Sequence, residues 1–155
     1  MIMNVLELKV PPLVLAILFG GAMWAISRIL PTGDVFIPGK LWFSGVVLAV
    51  GACIALLGVL EFRSAGTTVD PRTPHQSESL VVKGVYRFTR NPMYLGFFLM
   101  LVAWGIFLGS VFAALLLPLF VVYMNRFQIL PEERHMRALF GEAFDRYASR
   151  VRRWL

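Results

Sequence analysis

The sequence predicts an all-α membrane protein with about four transmembrane helices and a C-terminal amphipathic helix on the cytoplasmic side. Two observations predict this fold. Hydrophobic residues make up 58% of the 155 residues, whereas a soluble domain of this size is about 45–50% apolar. The mean hydropathy is +0.72, and the apolar residues are gathered in long uncharged runs that suit the hydrocarbon core of a bilayer. The length fits a single domain, residues 1–155.

The first two predicted spans cover residues 12–29 and 41–60. Pro12 suits a first helical turn, where a missing N–H costs nothing. The first run lacks a small-residue cleavage site, so we interpret it as a retained span and not as a signal peptide. In the second span, Gly51, Ala55 and Gly58 lie near one another on the helix surface, which predicts close packing against another helix.

The next two spans are predicted as a helical hairpin. No residue from 91 to 125 is charged, and one helix of that length would extend about 52 Å, well beyond the bilayer. Gly109 and Ser110 offer a turn near the middle, so we place spans at 93–108 and 111–128. Pro118 is expected to kink the fourth span.

The tail, residues 131–151, is predicted to be a single amphipathic helix. Pro131 suits its first turn, and Glu132 and Glu133 complement the helix dipole there. Apolar side chains recur at steps of three and four, as expected of one face lying on the membrane or under the bundle: Met136, Phe140, Phe144, Tyr147, Val151 and Trp154.

Residues 61–92 form a polar loop long enough to carry a functional site. All but two of the 15 lysines and arginines, Arg28 and Lys40, fall in the N-terminus, in this loop or in the C-terminal segment from Arg126 onward. Because basic residues favour the cytoplasmic side, we expect both termini, the loop and the tail to face the cytoplasm.

Several function classes lack support in the sequence. The net charge of +6 fits anionic membrane lipids better than nucleic acid, since the basic residues flank apolar runs and no nucleic-acid-binding module is present. Nucleotide-binding glycine motifs and an acyl-enzyme serine motif are missing. Cys53 is the only cysteine, and His75 and His135 are isolated, so no metal site is predicted.

Two polar clusters remain as candidates. The first lies at the start of the third span and the second at the start of the tail helix. Either could be purely structural, with Arg90 as a membrane anchor, tyrosines at the interface and two glutamates at a helix start. Alternatively, a helix start offers unpaired N–H donors, and Tyr and Arg can bind a nucleotide-like group.

Taken together, the clusters resemble the isoprenylcysteine carboxyl methyltransferase family and the wider group of membrane phospholipid methyltransferases. The resemblance covers about half of the chain, includes the intervening apolar hairpin, and suggests a short prokaryotic-type member in a bacterial or archaeal cytoplasmic membrane. It is carried by these residues: Leu80, Val81, Gly84, Tyr86, Arg90, Asn91, Pro92, Tyr94, Gly96, Glu132, Glu133, Phe140, Gly141, Phe144, Tyr147 and Val151.

The resemblance implies an S-adenosylmethionine-dependent methyltransferase that releases S-adenosylhomocysteine and methylates a lipid-like or small hydrophobic acceptor. It implies a cofactor pocket lined by Leu80, Val81, Tyr86, Asn91, Pro92, Met93, Tyr94, Glu132 and Glu133. It assigns no catalytic residue, and it makes Arg90, Asn91 and Arg126 candidates for positioning the reactants.

The chain departs from the family pattern at two positions. Asn91 stands where many members have histidine, so it is expected to contact a ligand and not to carry a proton. Carboxyl methyltransferases place an arginine shortly before the acidic pair to bind a substrate carboxylate. Gln128 occupies that position here, with Arg126 two residues earlier.

Three other functions stay open from sequence alone. A sterol-reductase-like enzyme would bind NADPH instead. A small transporter would need a buried ionisable residue near the middle of a span, and the predicted spans carry none there. A non-catalytic scaffold would explain the spans but not the paired clusters.

Overall fold

A computed structural model describes residues 7–64 and 80–155 of the protein. The chain forms helices α1 (Pro12–Ile29), α2 (Lys40–Ser64), α3 (Pro92–Leu108), α4 (Val111–Ala114), α5 (Leu116–Tyr123), α6 (Leu130–Phe140) and α7 (Glu142–Arg150). A π-helical segment, Met124–Ile129, joins α5 to α6. Short 3-10 turns occupy Pro31–Gly33 and Gly84–Arg87.

The all-α membrane fold is confirmed. Among the residues that the structure describes, three helical stretches are long and apolar enough to cross a membrane: Pro12–Ile29, Lys40–Ser64 and Val111–Phe140. α3 is also apolar but has 17 residues, which is close to the minimum length that spans hydrocarbon. The protein is therefore an integral membrane protein whose apolar side chains face lipid as well as one another.

Proline and glycine set the helix ends within the apolar hairpin. Pro92 opens α3, and Gly109 ends it with a left-handed backbone (φ 67°) that favours glycine. The helix after this turn is interrupted at Leu115. Pro118 explains this interruption, because it lacks an N–H for the Ala114 carbonyl and its ring crowds that carbonyl.

The prediction of one tail helix over residues 131–151 was wrong. α6 continues from the fourth span through the π-helical segment, so the membrane helix projects beyond its apolar part as far as Phe140. The chain then breaks at Gly141, whose positive φ of 51° ends α6 before α7 begins. The apolar residues continue to recur every three or four positions across the break, so their periodicity did not reveal it.

Most of the predicted polar loop, residues 65–79, lies outside the described residues. His75 is among them. The loop residues that are described, from Leu80 onward, lead through the 3-10 turn into α3.

The core lies among α1, α3 and the α5 region. Met23, Phe120, Met124 and Ile129 are fully buried there, and Phe19 meets Phe120 edge to face with ring centroids 5.4 Å apart. In contrast, many leucines and valines on the outer helix faces are exposed, as expected where the solvent is hydrocarbon.

α2 and α3 touch backbone to backbone. A Cβ on Gly96 would lie 2.6 Å from the Ala55 Cβ and 2.6 Å from the Gly51 carbonyl oxygen, and a Cβ on Gly58 would lie 3.0 Å from Met93. A side chain at Gly96 cannot be accommodated without moving a helix, and one at Gly58 would crowd Met93 and Pro92. The small-residue contact thus fixes where α3 begins relative to the end of α2.

We predict that Gly96→Leu lowers the free energy of unfolding by about 1–3 kcal/mol, because the larger side chain must push α3 away from α2. The measurement is thermal unfolding of the purified protein in detergent. Gly45→Leu on α2 is the matched control, since a Cβ on Gly45 meets nothing within 4 Å. Equal stability of the two variants would contradict the close contact.

Candidate functional site

The start of α3 is fastened to the C-terminal end of the chain. The Arg90 N–H donates to the Arg152 carbonyl at 3.0 Å, and the Asn91 side-chain Nδ2 donates to the Arg153 carbonyl at 2.9 Å. Trp154 Nε1 donates to Asn125 Oδ1 at 2.9 Å. The side-chain nitrogen of Asn91 is therefore used in a hydrogen bond within the protein, and its side-chain oxygen is the group that can face a ligand.

Glu133 is the centre of an ion-pair clamp. Its Oε1 accepts from Arg90 NH2 at 2.9 Å and from Arg153 Nε at 2.9 Å, and its Oε2 accepts from Arg153 NH2 at 2.7 Å. Arg90 NH1 also donates to the Ala148 carbonyl at 2.9 Å. The clamp joins the start of α3, the start of α6 and the C-terminal segment, so Glu133 and Arg90 hold the site together.

Glu132 lies on a different side of α6 and faces α3. The Tyr94 hydroxyl donates to Glu132 Oε1 at 2.5 Å, and Gln128 Nε2 donates to the same oxygen at 2.6 Å. Both donors come from buried residues. Within the described part of the chain, this arrangement leaves Glu132 Oε2 as an acceptor for another group.

Tyr86 lies close to this carboxylate. It is buried in the 3-10 turn and meets the Phe62 ring edge to face, with centroids 5.2 Å apart. Burial raises the pKa of Tyr86 well above its usual range, and electrostatic repulsion from Tyr147 and Glu132 adds to that rise. The phenol thus stays neutral at physiological pH, and it cannot serve as a base there.

The turn that carries Tyr86 is held at two further points. The Tyr147 hydroxyl donates to the Tyr86 carbonyl oxygen at 2.8 Å, which ties α7 to the turn. Gly84 adopts φ 55°, and a Cβ there would overlap the Glu61 carboxylate at the end of α2. The positive φ favours glycine at this position, whereas the overlap alone could be relieved by movement of the Glu61 side chain.

The other predicted cofactor-binding residues lie along the same stretch of chain. Val81 and Pro92 are buried, whereas Leu80 and Met93 are half-buried. Met93 packs against Gly58 of α2. Along the chain, these residues flank the turn of Tyr86 and the start of α3.

Arg126 is not part of this group. Its guanidinium pairs with Glu7 at 2.9 Å, and it lies two residues from Gln128, about half a helical turn away. The sequence analysis grouped Arg126 with Arg90 and Asn91 as positioning candidates, whereas in the structure Arg126 contacts Glu7 and Arg90 contacts Glu133.

Sequence reasoning missed two contacts of the site. Arg153 follows the predicted tail helix and belongs to no motif, yet it supplies two of the hydrogen bonds to Glu133. Gln128 was noted only as a departure from the arginine of related enzymes, whereas it is a hydrogen-bond donor to Glu132. The Gln128–Glu132 spacing of four residues was the available signal for that contact.

The assembled site offers a carboxylate with one available oxygen, neutral phenols and aromatic faces. Such a set attracts a cation or a donor-rich polar group. Within residues 7–64 and 80–155, no three His, Cys, Asp or Glu side chains lie together as metal ligands would.

Comparison with known proteins gives matches over the same region. A model of the phospholipid methyltransferase family matches residues 40–143. An uncharacterized protein of Haemophilus influenzae is 43% identical over 63 residues, which is 41% of this chain and 100% of that protein. No solved structure matches the chain significantly.

Two relatives have named activities. The protein-S-isoprenylcysteine O-methyltransferase of Schizosaccharomyces pombe is 31% identical over 72 residues, which is 46% of this chain and 30% of that protein. The protein-S-isoprenylcysteine O-methyltransferase B of Arabidopsis thaliana is 28% identical over 127 residues, which is 76% of this chain and 62% of that protein. The matched part therefore falls short of two thirds of either enzyme.

The family model spans α2, the turn of Tyr86, α3 and the acidic pair of α6, which is more than half of the chain, and the protein therefore belongs to the phospholipid methyltransferase family.

Proposed function

We propose that the protein transfers a methyl group from S-adenosylmethionine to a lipid-like or small hydrophobic acceptor at one face of the membrane. The observation that carries this proposal is the Glu132 carboxylate, which Tyr94 and Gln128 hold by one oxygen beside the buried Tyr86. Family membership supports methyl transfer, and the named relatives support a membrane-associated acceptor.

The residues present fit this cofactor. Its amino-acid part carries an ammonium group and its ribose carries hydroxyls, and either could donate to Glu132 Oε2. The sulfonium is a cation, for which the faces of Tyr86 and Tyr94 and a nearby carboxylate are suitable surroundings. The free oxygen of Asn91 offers a further acceptor at the start of α3, since its nitrogen is engaged by Arg153.

When bound, S-adenosylmethionine would supply an already activated methyl group, which passes in line to the acceptor while S-adenosylhomocysteine leaves with the electron pair of the broken carbon–sulfur bond. The protein then needs no strong base for a carboxylate or thiolate acceptor, and its neutral tyrosines agree with that requirement. The residues of the site chiefly hold the cofactor and the acceptor in the orientation needed for transfer and exclude water. The clamp of Glu133, Arg90 and Arg153 contributes by keeping α3, α6 and the C-terminal segment together.

The acceptor is proposed to enter from the bilayer. The outer faces of α2 and α5 expose many apolar side chains, so a lipid-like molecule can approach the site laterally. Gln128 donates to Glu132 at the position where carboxyl methyltransferases carry an arginine for the substrate carboxylate. This difference favours an acceptor other than a prenylcysteine carboxylate.

The site is proposed to face the cytoplasm, where S-adenosylmethionine is made. The distribution of lysine and arginine supports this orientation, because both ends of the chain and the loop before α3 carry nearly all of them. The ends of α2 and α6 that carry Glu61 and Glu132 then lie on the same side.

One prediction of the proposed function concerns cofactor binding. Glu132→Gln should weaken the binding of S-adenosylhomocysteine by about tenfold or more, because a charge-assisted hydrogen bond to the ligand is lost. Titration of the purified protein, followed by calorimetry or thermal shift, measures the effect. Glu142→Gln is the control, since that carboxylate is 92% exposed on α7.

The same titration tests the rival enzyme class. NADPH should not stabilise the protein, whereas S-adenosylhomocysteine should. Unchanged S-adenosylhomocysteine affinity in a folded Glu132→Gln variant would reject the site assignment, and stabilisation by NADPH alone would favour a reductase.

Another prediction distinguishes the roles of the two glutamates. Glu133→Gln should lower the free energy of unfolding by about 1–3 kcal/mol, because it breaks charged hydrogen bonds to Arg90 and Arg153 that are only partly exposed. Its affinity for S-adenosylhomocysteine should fall much less than that of Glu132→Gln. Thermal unfolding and titration of both variants provide the comparison. A stable Glu133→Gln protein that fails to bind would show that Glu133 contacts the ligand directly.

A further inference from the structure

The long helix made of α5, the π-helical segment and α6 carries two arginines that bind one carboxylate, that of Glu7. Glu7 Oε1 accepts from Arg126 NH1 at 2.9 Å, and Glu7 Oε2 accepts from Arg134 NH2 at 2.5 Å. The Glu7 side chain is only 10% exposed, whereas the arginines are 46% and 49% exposed. Arg126 and Arg134 therefore form an outward-facing anion-binding site, here called the cradle, which binds both oxygens of one carboxylate.

This cradle is distinct from the proposed methyltransferase site. Arg126 and Arg134 are eight residues apart and share one face of the helix, with Leu130 between them. Gln128 and Glu132 are displaced from that face by about half a turn. An anion held by the two arginines thus lies across the helix from the Tyr94–Glu132 contact.

The segment that fills the cradle is held under backbone strain. Leu8 has φ 58°, the only positive φ of a non-glycine residue in the described ranges, and this left-handed conformation is unfavourable for a residue with a side chain. The Leu8 N–H donates to the Phe127 carbonyl at 3.0 Å. Release of Glu7 would relieve this strain, which lowers the cost of exchanging Glu7 for another anion.

The position of the cradle points to a lipid as that anion. Arg126 lies where the apolar fourth span ends, with the exposed Val122 one turn before it and the exposed Leu130 one turn after it. Phosphate groups of a bilayer lie at that level, and arginine suits phosphate because its planar donors match two oxygens. A lipid can also pack its chains on the neighbouring apolar face.

We propose that Arg126 and Arg134 form a binding site for the phosphate of an anionic phospholipid, and that Glu7 occupies this site as an internal stand-in when no such lipid is bound. The proposal is independent of methyl transfer, since neither arginine faces Glu132. Binding of the lipid should free residues 7–10 from the long helix.

The test uses the full chain purified in a neutral detergent and titrated with phosphatidylglycerol that carries a fluorescent label on an acyl chain. Arg126→Gln and Arg134→Gln should each weaken binding about fivefold, the effect of one basic residue at an anionic surface. Glu7→Gln should strengthen binding by a similar factor, because it removes the competing carboxylate.

A second pair of charged residues provides matched controls. Arg146 and Glu142 form an exposed ion pair on α7, so Arg146→Gln and Glu142→Gln make the same charge changes away from the cradle. Both should change the affinity less than twofold. Hydrogen exchange at the Leu8 amide should quicken with phosphatidylglycerol and not with phosphatidylcholine, which reports release of the segment directly.

Three outcomes would overturn the proposal. Equal effects of the cradle and control variants would mean that the overall charge attracts the lipid. Displacement by inorganic phosphate as effectively as by unlabelled phosphatidylglycerol would indicate a soluble anion instead. Unchanged binding in Arg126→Gln and Arg134→Gln would show that the two arginines only anchor the N-terminal segment.

Discussion

The hydrogen bond between Tyr94 and Glu132 connects the two parts of the chain on which the site depends. The residues are 38 positions apart, and one lies in α3 and the other in α6. Carboxylates are costly to bury unless their oxygens are satisfied, so the contact requires α3 and α6 to be held in one relative position. The small-residue packing of α2 on α3 and the Glu133 clamp on the other side supply that constraint.

Glu132 and Glu133 are adjacent on one helix but contact different parts of the protein. Successive helical residues point about 100° apart, so Glu132 faces α3 while Glu133 faces Arg90 and Arg153. The first keeps one oxygen available, whereas both oxygens of the second are occupied within the protein. A motif of two glutamates therefore combines the proposed ligand-binding group with the ion pairs that hold α3, α6 and the C-terminal segment together.

Much of the fold could be predicted because it depends on local properties. The apolar runs reveal the spans, Gly109 marks the hairpin turn, and Gly51, Ala55 and Gly58 mark the face that receives α3.

The candidate site residues were predicted from a family resemblance. Physical reasoning on composition alone favoured a structural explanation for them, as helix ends and membrane anchors. The contacts of Arg153 with Glu133 and of Glu7 with Arg126 escaped prediction because they join residues remote in sequence, and no local pattern marks them. The π-helical segment was also missed, since the change from 3.6 residues per turn is too slight to alter the spacing of apolar residues over so short a stretch.

The π-helical segment explains how one helix serves two surfaces. A wider turn between Met124 and Ile129 changes the rotational register of α6 relative to α5. Gln128 and Glu132 then face the interior beside Tyr94, while Arg126 and Arg134 face outward at the level where the apolar span ends. Interior polar groups and outward basic groups are kept apart by the helix itself. Events at the lipid-facing side can therefore reach the site only through movement of this helix or of the N-terminal segment bound to it.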